Sequence, residues 1–328
     1  MLLGSAAAVR APAGTLARMR VAALAGGVGA GKFLRGLVRA VDPEDVTVVV
    51  NTGDDLVLNG LHVSPDVDSV TYWLAGVADR ERGWGREGET WRSLDELRRL
   101  DPPAAWFALG DLDLATHQLR TGALRGGMGL AGATDAVRLG FGIQARILPM
   151  SEDPVTTRIE TADGLDLHFQ DYWVRRGAAD EVRAVRYAGA EAAAPAPGVL
   201  EALREADAVV ICPSNPVASI GPILAVAGVR EALAARRETV AGISPIVGGA
   251  PIRGMADKLM PAAGLAVTAV GAARAYQGLL GGWVMDEADR ALAPEVEGLG
   301  IKVAVTDTIM ADDEVSEAIA RAALELVT

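Results

Sequence analysis

The stretch "LAGGVGAGKF", Leu24 to Phe33, decides the fold. It joins an apolar run, "RVAALAGG", to a segment whose apolar positions Phe33, Leu34, Leu37 and Val38 recur at helical spacing. A second apolar run follows, "VTVVV" (Val46–Val50), rich in β-branched residues as a buried parallel strand is. Strand, glycine turn, helix, strand is a βαβ unit. The turn satisfies neither of two familiar phosphate-loop templates. Gly26, Gly31 and Lys32 fit the P-loop spacing, but Phe33 stands where a hydroxyl should meet Mg²⁺. Gly27 and Gly29 begin a dinucleotide fingerprint whose third glycine would be Lys32, and Asn51 stands where the ribose-binding acid is expected. What remains is a glycine-rich helix start with a lysine, suited to an anion or to close packing.

The pattern recurs downstream. "DAVVIC" leads into "PSNP", "ETVAGIS" follows a helical "GVREALAAR", and "IKVAVTD" precedes an amphipathic terminal helix. The reading is an α/β, Rossmann-like, doubly wound and mostly parallel sheet. Between about 150 and 195 the pattern changes. "TTRIETADGLDLHFQDYWV" (156–174) alternates around Asp163-Gly164, a hairpin turn signal, so a smaller antiparallel and helical insertion is expected there, with "EVRAVRYAG" as a candidate third strand. "AWFAL" (105–109) reads as a strand and "AAAPAPG" (192–198) as a linker. Residues 1–18 read as a disordered extension or an upstream start, with Met19 opening the domain proper at 19–328.

Composition limits the function classes. The 328 residues are half hydrophobic and carry a net charge of −12, with no basic patch for nucleic acid. The single cysteine, Cys212, excludes an internal disulfide or a cysteine metal cluster, and its apolar setting reads as a buried thiol. Only three histidines are present, His62, His117 and His168, too few for a histidine-based metal site of any generosity. No stretch approaches the ~20 apolar residues of a membrane helix, so a cytoplasmic enzyme is expected.

Several groups could carry chemistry. "NTGDDLVLNGLHVSPDVDS" (51–69) delivers Asn51, Asp54, Asp55, Asp66 and Asp68 just after the second strand, the edge where α/β proteins bind ligands. Carboxylates gathered there repel each other unless a cation intervenes, and carboxylate plus water is the usual Mg²⁺ shell. Asp54 and Asp66 are the metal candidates; Asp66 and Asp68 could alternatively cap the helix that follows, and at least one is expected to do so. "LGDLDLATHQLR" (109–120) places Asp111 at a helix start and Asp113, Thr116, His117 and Arg120 on one face. A capping aspartate and a surface histidine are the plainer alternatives. "PSNPVASIGP" (213–222) and "SPIVGGAPIRGMADKLM" (244–260) offer loop N–H groups at Ser214, Asn215, Ser244, Gly248 and Gly249, with Arg253 and Lys258 as nearby charge. No nucleophile elbow, Cys–His pair or zinc-protease motif occurs, which favours transfer by positioning and a metal.

Together, "LAGGVGAGKFLRGL", "NTGDDLVLNGLHVSPDVDSVTYWLAG", "GWGREGETW", "WFALGDLDLATHQLR", "HFQDYWV", "PSNPVASIGPIL" and "SPIVGGAPIRGMADKLM" resemble the 2-phospho-L-lactate transferase family of deazaflavin coenzyme F-420 biosynthesis. The resemblance runs from about Arg20 to the C-terminus. It implies transfer of a phospholactyl or phosphoenolpyruvyl group from a guanosine-diphosphate-linked donor to the ribityl hydroxyl of the deazaflavin Fo, with release of GMP. It also implies Mg²⁺, a dimer, and catalytic roles for Asp54, Asp55, Asp66 and Asp68. The alternative is a related branch of nucleotide-sugar-binding regulators without catalysis; "HFQDYWV" and "GDLDLATH" favour the transferase. The choice between lactate and enolpyruvate is open in the sequence.

Overall fold

The structure is a computed structural model that describes residues 19–328; the expectation for residues 1–18 lies outside them. Its centre is a sheet of seven parallel strands: β1 (Val21–Ala25), β2 (Val46–Val50), β3 (Arg146–Pro149), β4 (Ala208–Ile211), β5 (Val240–Ile243), β6 (Gly282–Asp286) and β7 (Lys302–Thr306). Their order across the sheet is β7-β6-β5-β4-β1-β2-β3. The direction of winding reverses between β1 and β4, and at such a reversal the loops diverge and leave a crevice.

β1, β4, β5 and β6 are buried along their whole length. That explains their unbroken Val, Ile and Ala runs: both faces are covered by helices. On one face α1 (Gly27–Ala40) buries Phe33, Leu34 and Leu37 completely, each worth roughly 1.5–3 kcal/mol of removed apolar surface. The same core takes in Cys212 and the helix Asp313–Glu325. The glycines of α1 let it sit close. A Cβ on Gly29 would lie 2.4 Å from the Pro213 carbonyl oxygen, and one on Gly31 would enter the Trp73 ring at 2.4 Å.

The insertion forms a three-stranded antiparallel sheet, with Thr156–Thr161 between Asp166–His168 and Val182–Ala188. Its hairpin turns at Gly164, whose φ of 89° only glycine adopts at ease. Two expectations are corrected. "AWFAL" is not a strand: Pro102 and Pro103 begin a 3₁₀ turn over Pro102–Ala105, and the apolar residues beyond it pack as a small cluster with Leu58 and Val63. Residues 192–198 are not a loose linker: Ala193 and Ala196 are buried, and Pro195 bridges Ser151.

Candidate active site

A cavity of about 780 Å³ opens at the C-terminal ends of β1, β2, β4, β5 and β7, within the usual range for a small-molecule site. The two sides of the winding reversal are stitched together there. Ser214, after β4, donates its hydroxyl to the Gly26 carbonyl at 2.9 Å, and the Gly26 N–H returns to Ser214 Oγ at 3.3 Å. Gly27 has a φ of 73° and starts α1 immediately after β1. Gly26 cannot be larger, since a Cβ would lie 2.4 Å from an Asp66 carboxylate oxygen.

That approach brings Asp66 to the N-terminus of α1, where its carboxylate accepts the Gly27 N–H. Asn51, at the end of β2, donates its side-chain amide to Asp66 Oδ2 at 2.9 Å and lies 3.5 Å from Asp54 Oδ1. Its own carbonyl oxygen accepts the Gly53 N–H at 2.7 Å, which fixes the amide's orientation. Gln170, from the insertion, donates to Asp54 Oδ2 at 2.8 Å. Asp54 and Asp66 are thus two buried carboxylates lining one cavity, held by neutral amides. Burial pushes the Asp66 carboxyl up to about 7. Burial and the Asp66 charge push Asp54 upward as well.

The other two aspartates have partners of a different kind. Asp55 is half-buried, and its Oδ2 lies 3.0 Å from His62 Nε2 and accepts the Ser64 hydroxyl at 2.6 Å, while Oδ1 is without a partner. Asp68 takes both terminal nitrogens of Arg120, Nη1 on Oδ2 at 3.1 Å and Nη2 on Oδ1. Arg120 is fully buried on α4 (Asp111–Arg125), one turn from His117. The expected capping by Asp66 or Asp68 does not occur: in α2 (Pro65–Leu74) Asp66 turns to Asn51 and Gly27, and Asp68 to Arg120.

The far wall is built by α4 and the segment before it. Asp113, Thr116, His117 and Arg120 do share a buried face. His117 is not the surface histidine that was the plainer alternative; it lines the cavity, and burial lowers its pKa to about 4. Asp113 also lines the cavity, beside the Tyr72 hydroxyl, and burial raises its carboxyl to about 6. Asp111 is half-buried and outside the cavity lining: it caps the N-terminus of α3 (Arg92–Leu100) by accepting from Thr90 Oγ1 and the Arg92 and Ser93 N–H groups. Glu89 does the same for α4, accepting the Leu112 and Asp113 N–H groups at 2.6 and 3.2 Å. The two helices are capped by each other's flanks.

The family model for 2-phospho-L-lactate transferase CofD matches residues 21–323. The chain belongs to that family. It is 48% identical over 313 residues to a phosphoenolpyruvate transferase of Kitasatospora aureofaciens, covering 94% of this chain and 98% of the relative. It is 43% identical over 295 residues to a 2-phospho-L-lactate transferase of Methanosarcina mazei, covering 90% and 96%. A crystal structure of a UPF0052 family member from Bacillus halodurans shares the fold, with a TM-score of 0.59 at 19% identity, covering 93% of this chain and 99% of that one. The protein is a transferase of the phospholactate and phosphoenolpyruvate type. Among the described residues no helix is long and apolar enough to cross a membrane.

Relative to this cavity the expected residues fall into three groups. Gly26, Gly27, Gly29, Lys32, Asp54, Asp66, Asp68, His117, Ser214, Asn215 and Ser244 line it. Asn51, Thr116 and Arg120 are buried behind it and act on residues that do; Asp55 is half-buried, and its side-chain partners His62 and Ser64 lie outside the lining. Asp111, Gly248 and Gly249 lie outside the lining. Gly248-Gly249 form the exposed tight turn between Ile246–Val247 and Ala250–Pro251, both with positive φ, and the Gly248 N–H is already given to Asp289 at 3.0 Å. Asn215 spends its side-chain oxygen on the N–H groups of Val217 and Ala218. Sequence reasoning missed Gln170 and the aromatic lining from Tyr72, Trp84, Phe107 and Trp173. Lys32 and Arg253 line the cavity, and burial, with Arg253 and Arg80 nearby, lowers the lysine's pKa.

Proposed function

We propose that this chain transfers a phosphoenolpyruvyl or phospholactyl group from a guanosine-diphosphate-linked donor to the terminal ribityl hydroxyl of the deazaflavin Fo, in coenzyme F-420 biosynthesis. The observation that carries the reading is the Asp54–Asp66 pair beside the start of α1, in a cavity large enough for both substrates. The enolpyruvyl donor is favoured, because the relative with 48% identity is named a phosphoenolpyruvate transferase and the 2-phospho-L-lactate transferase is at 43%. A cytoplasmic homodimer is part of the proposal.

The residues fit Mg²⁺. The described residues contain no group of three or more His, Cys, Asp or Glu set for a metal, but magnesium needs only one or two carboxylates when substrate phosphates and water complete its shell. Two all-oxygen, mutually repelling carboxylates supply that, and Asp54 and Asp66 would hold the ion. Bound there, it would neutralise charge on the phosphoryl oxygens. The protein's own groups do the rest. The N-terminal end of α1 and the charges of Lys32 and Arg253 orient the anionic donor. The aromatic wall accepts the flat ring system. As the ribityl oxygen bonds to phosphorus, the bond from that phosphorus to the GMP oxygen breaks, GMP leaves with the electron pair, and one of the two carboxylates takes the hydroxyl proton. The loose transition state of phosphoryl transfer demands little nucleophilic push, so positioning carries most of the rate.

The test is product mass spectrometry with Fo and each guanylated donor. The expected main product is the dehydro form, two hydrogens lighter than that from the lactyl donor. No product from either donor, with magnesium present, would overturn the proposal.

A further inference from the structure

His117 Nε2 is a buried polar atom with no hydrogen-bond partner. Leaving such an atom bare costs about 1–3 kcal/mol, so its surroundings matter. The ring is 2% exposed and lines the cavity. Its other nitrogen, Nδ1, lies 3.4 Å from Arg120 Nη1 and 3.6 Å from Asp68 Oδ2. The second distance is too long for a hydrogen bond. A guanidinium has only donors. Nδ1 must therefore accept, and the ring proton must sit on Nε2. Arg120 cannot turn away to release it. It is fully buried and held by both of its terminal nitrogens on Asp68.

We propose that the Asp68–Arg120 pair locks His117 in the Nε2–H tautomer, so that His117 presents a neutral hydrogen-bond donor to a carbonyl oxygen of the bound heteroaromatic acceptor. This rests on the functional reading above and adds a specificity-determining residue to it. The wall around His117 explains why a carbonyl is matched rather than a phosphate. Phe107 and Leu109 precede α4 and pack with Leu114 and Val63 into one apolar cluster, while the cavity's cations, Lys32 and Arg253, come from α1 and the loop after β5. His117 lies in the interior of α4, away from those cations and from any helix N-terminus, so its single neutral donor leaves a phosphate's charge unmatched, yet it satisfies a carbonyl.

The lock is read directly from the full-length enzyme labelled with ¹⁵N-histidine. At neutral pH the His117 signals should show a protonated Nε2 and a bare Nδ1. A proton on Nδ1 would overturn the lock. The donor role is read from Fo affinity, by quenching of its fluorescence, beside GDP affinity. His117→Leu should weaken Fo about 10- to 100-fold. His117→Gln, whose amide nitrogen reaches the place of Nε2, should recover most of that loss. GDP affinity should be unchanged in both. Equal losses in the Leu and Gln variants would overturn the donor role, as would a loss confined to GDP. If the unmodified enzyme binds GDP but not Fo, the functional reading fails, while the tautomer measurement still decides the lock.

Discussion

Asp66 and Asp68 stand two residues apart in the first turns of one helix and have opposite surroundings. Asp66 faces Asp54, a second buried carboxylate, with only the Asn51 amide and a backbone N–H for support. Asp68 faces a buried guanidinium that grips both its oxygens. The first arrangement is electrostatically unfinished and the second is complete. A carboxylate pair that its own protein leaves uncompensated is available for a cation and a proton; one with a full set of partners is structural support for its neighbours. The same acidic stretch therefore supplies both a reactive group and the frame that aims His117.

The comparison is broken most sharply at Asp68. Asp68→Asn leaves Arg120 buried without its counter-ion, and removing one partner of a buried pair costs about 3–5 kcal/mol. The midpoint of chemical unfolding should fall accordingly. Replacing both residues together, Asp68→Met with Arg120→Leu, should recover most of the stability, since a buried pair exchanged for apolar groups is often neutral. An Asp68→Asn variant as stable as the parent would mean the two aspartates are not different in kind.

Asp66→Asn should do the reverse. Turnover should drop ~10² or more, because a group that stabilises transition-state charge is commonly worth ~3 kcal/mol. The unfolding midpoint of the ligand-free enzyme should hold or rise, because a buried like-charge contact with Asp54 is gone. Loss of stability as large as that of Asp68→Asn, or near-normal turnover at saturating magnesium, would remove the distinction from the other side.

How much of this could be read from the chain follows from the same physics. The parallel strands were legible because burial on both faces leaves unbroken apolar runs such as "VTVVV". The acid cluster was legible because four aspartates fall close together after a strand. Their division into pairs was not, because the partners are remote: Arg120 lies 52 residues beyond Asp68, and Gln170 lies 116 beyond Asp54. A lone glutamine in an antiparallel insertion leaves no periodic or charge signal. "AWFAL" misled because a wall of apolar side chains around a cavity has the composition of a strand without its backbone; the two prolines ahead of it were the available warning. Asp111 and Glu89 show a further limit: each caps the other's helix, and capping a separate segment leaves no local spacing to find.

The smallest expected effect separates compensated from uncompensated carboxylates by pH alone. Asp113 is buried beside the Tyr72 hydroxyl; burial raises its carboxyl to about 6 from 3.8, with the nearby charges of Asp68 and Glu89 acting in the same direction. Its folded-state pKa lies above the unfolded one, so between these values the folded protein binds more protons than the unfolded chain. Stability from this group is therefore present at low pH, declines as pH rises through the window from 3.8 to about 6, and stays lost above it. Asp113→Asn keeps the group neutral throughout and escapes that loss. Its stability relative to the parent should grow by about 1 kcal/mol between pH 5 and pH 8, which is the part of the two-unit shift still to be expressed over that interval. Asp68→Asn, made in the same background, should show no such gain at alkaline pH, since there the charge it removes is the one Arg120 requires. A flat difference between Asp113→Asn and the parent across this range would mean that Asp113 is as well compensated as Asp68, and that the Asp54–Asp66 pair is the cavity's one unfinished site among the described residues.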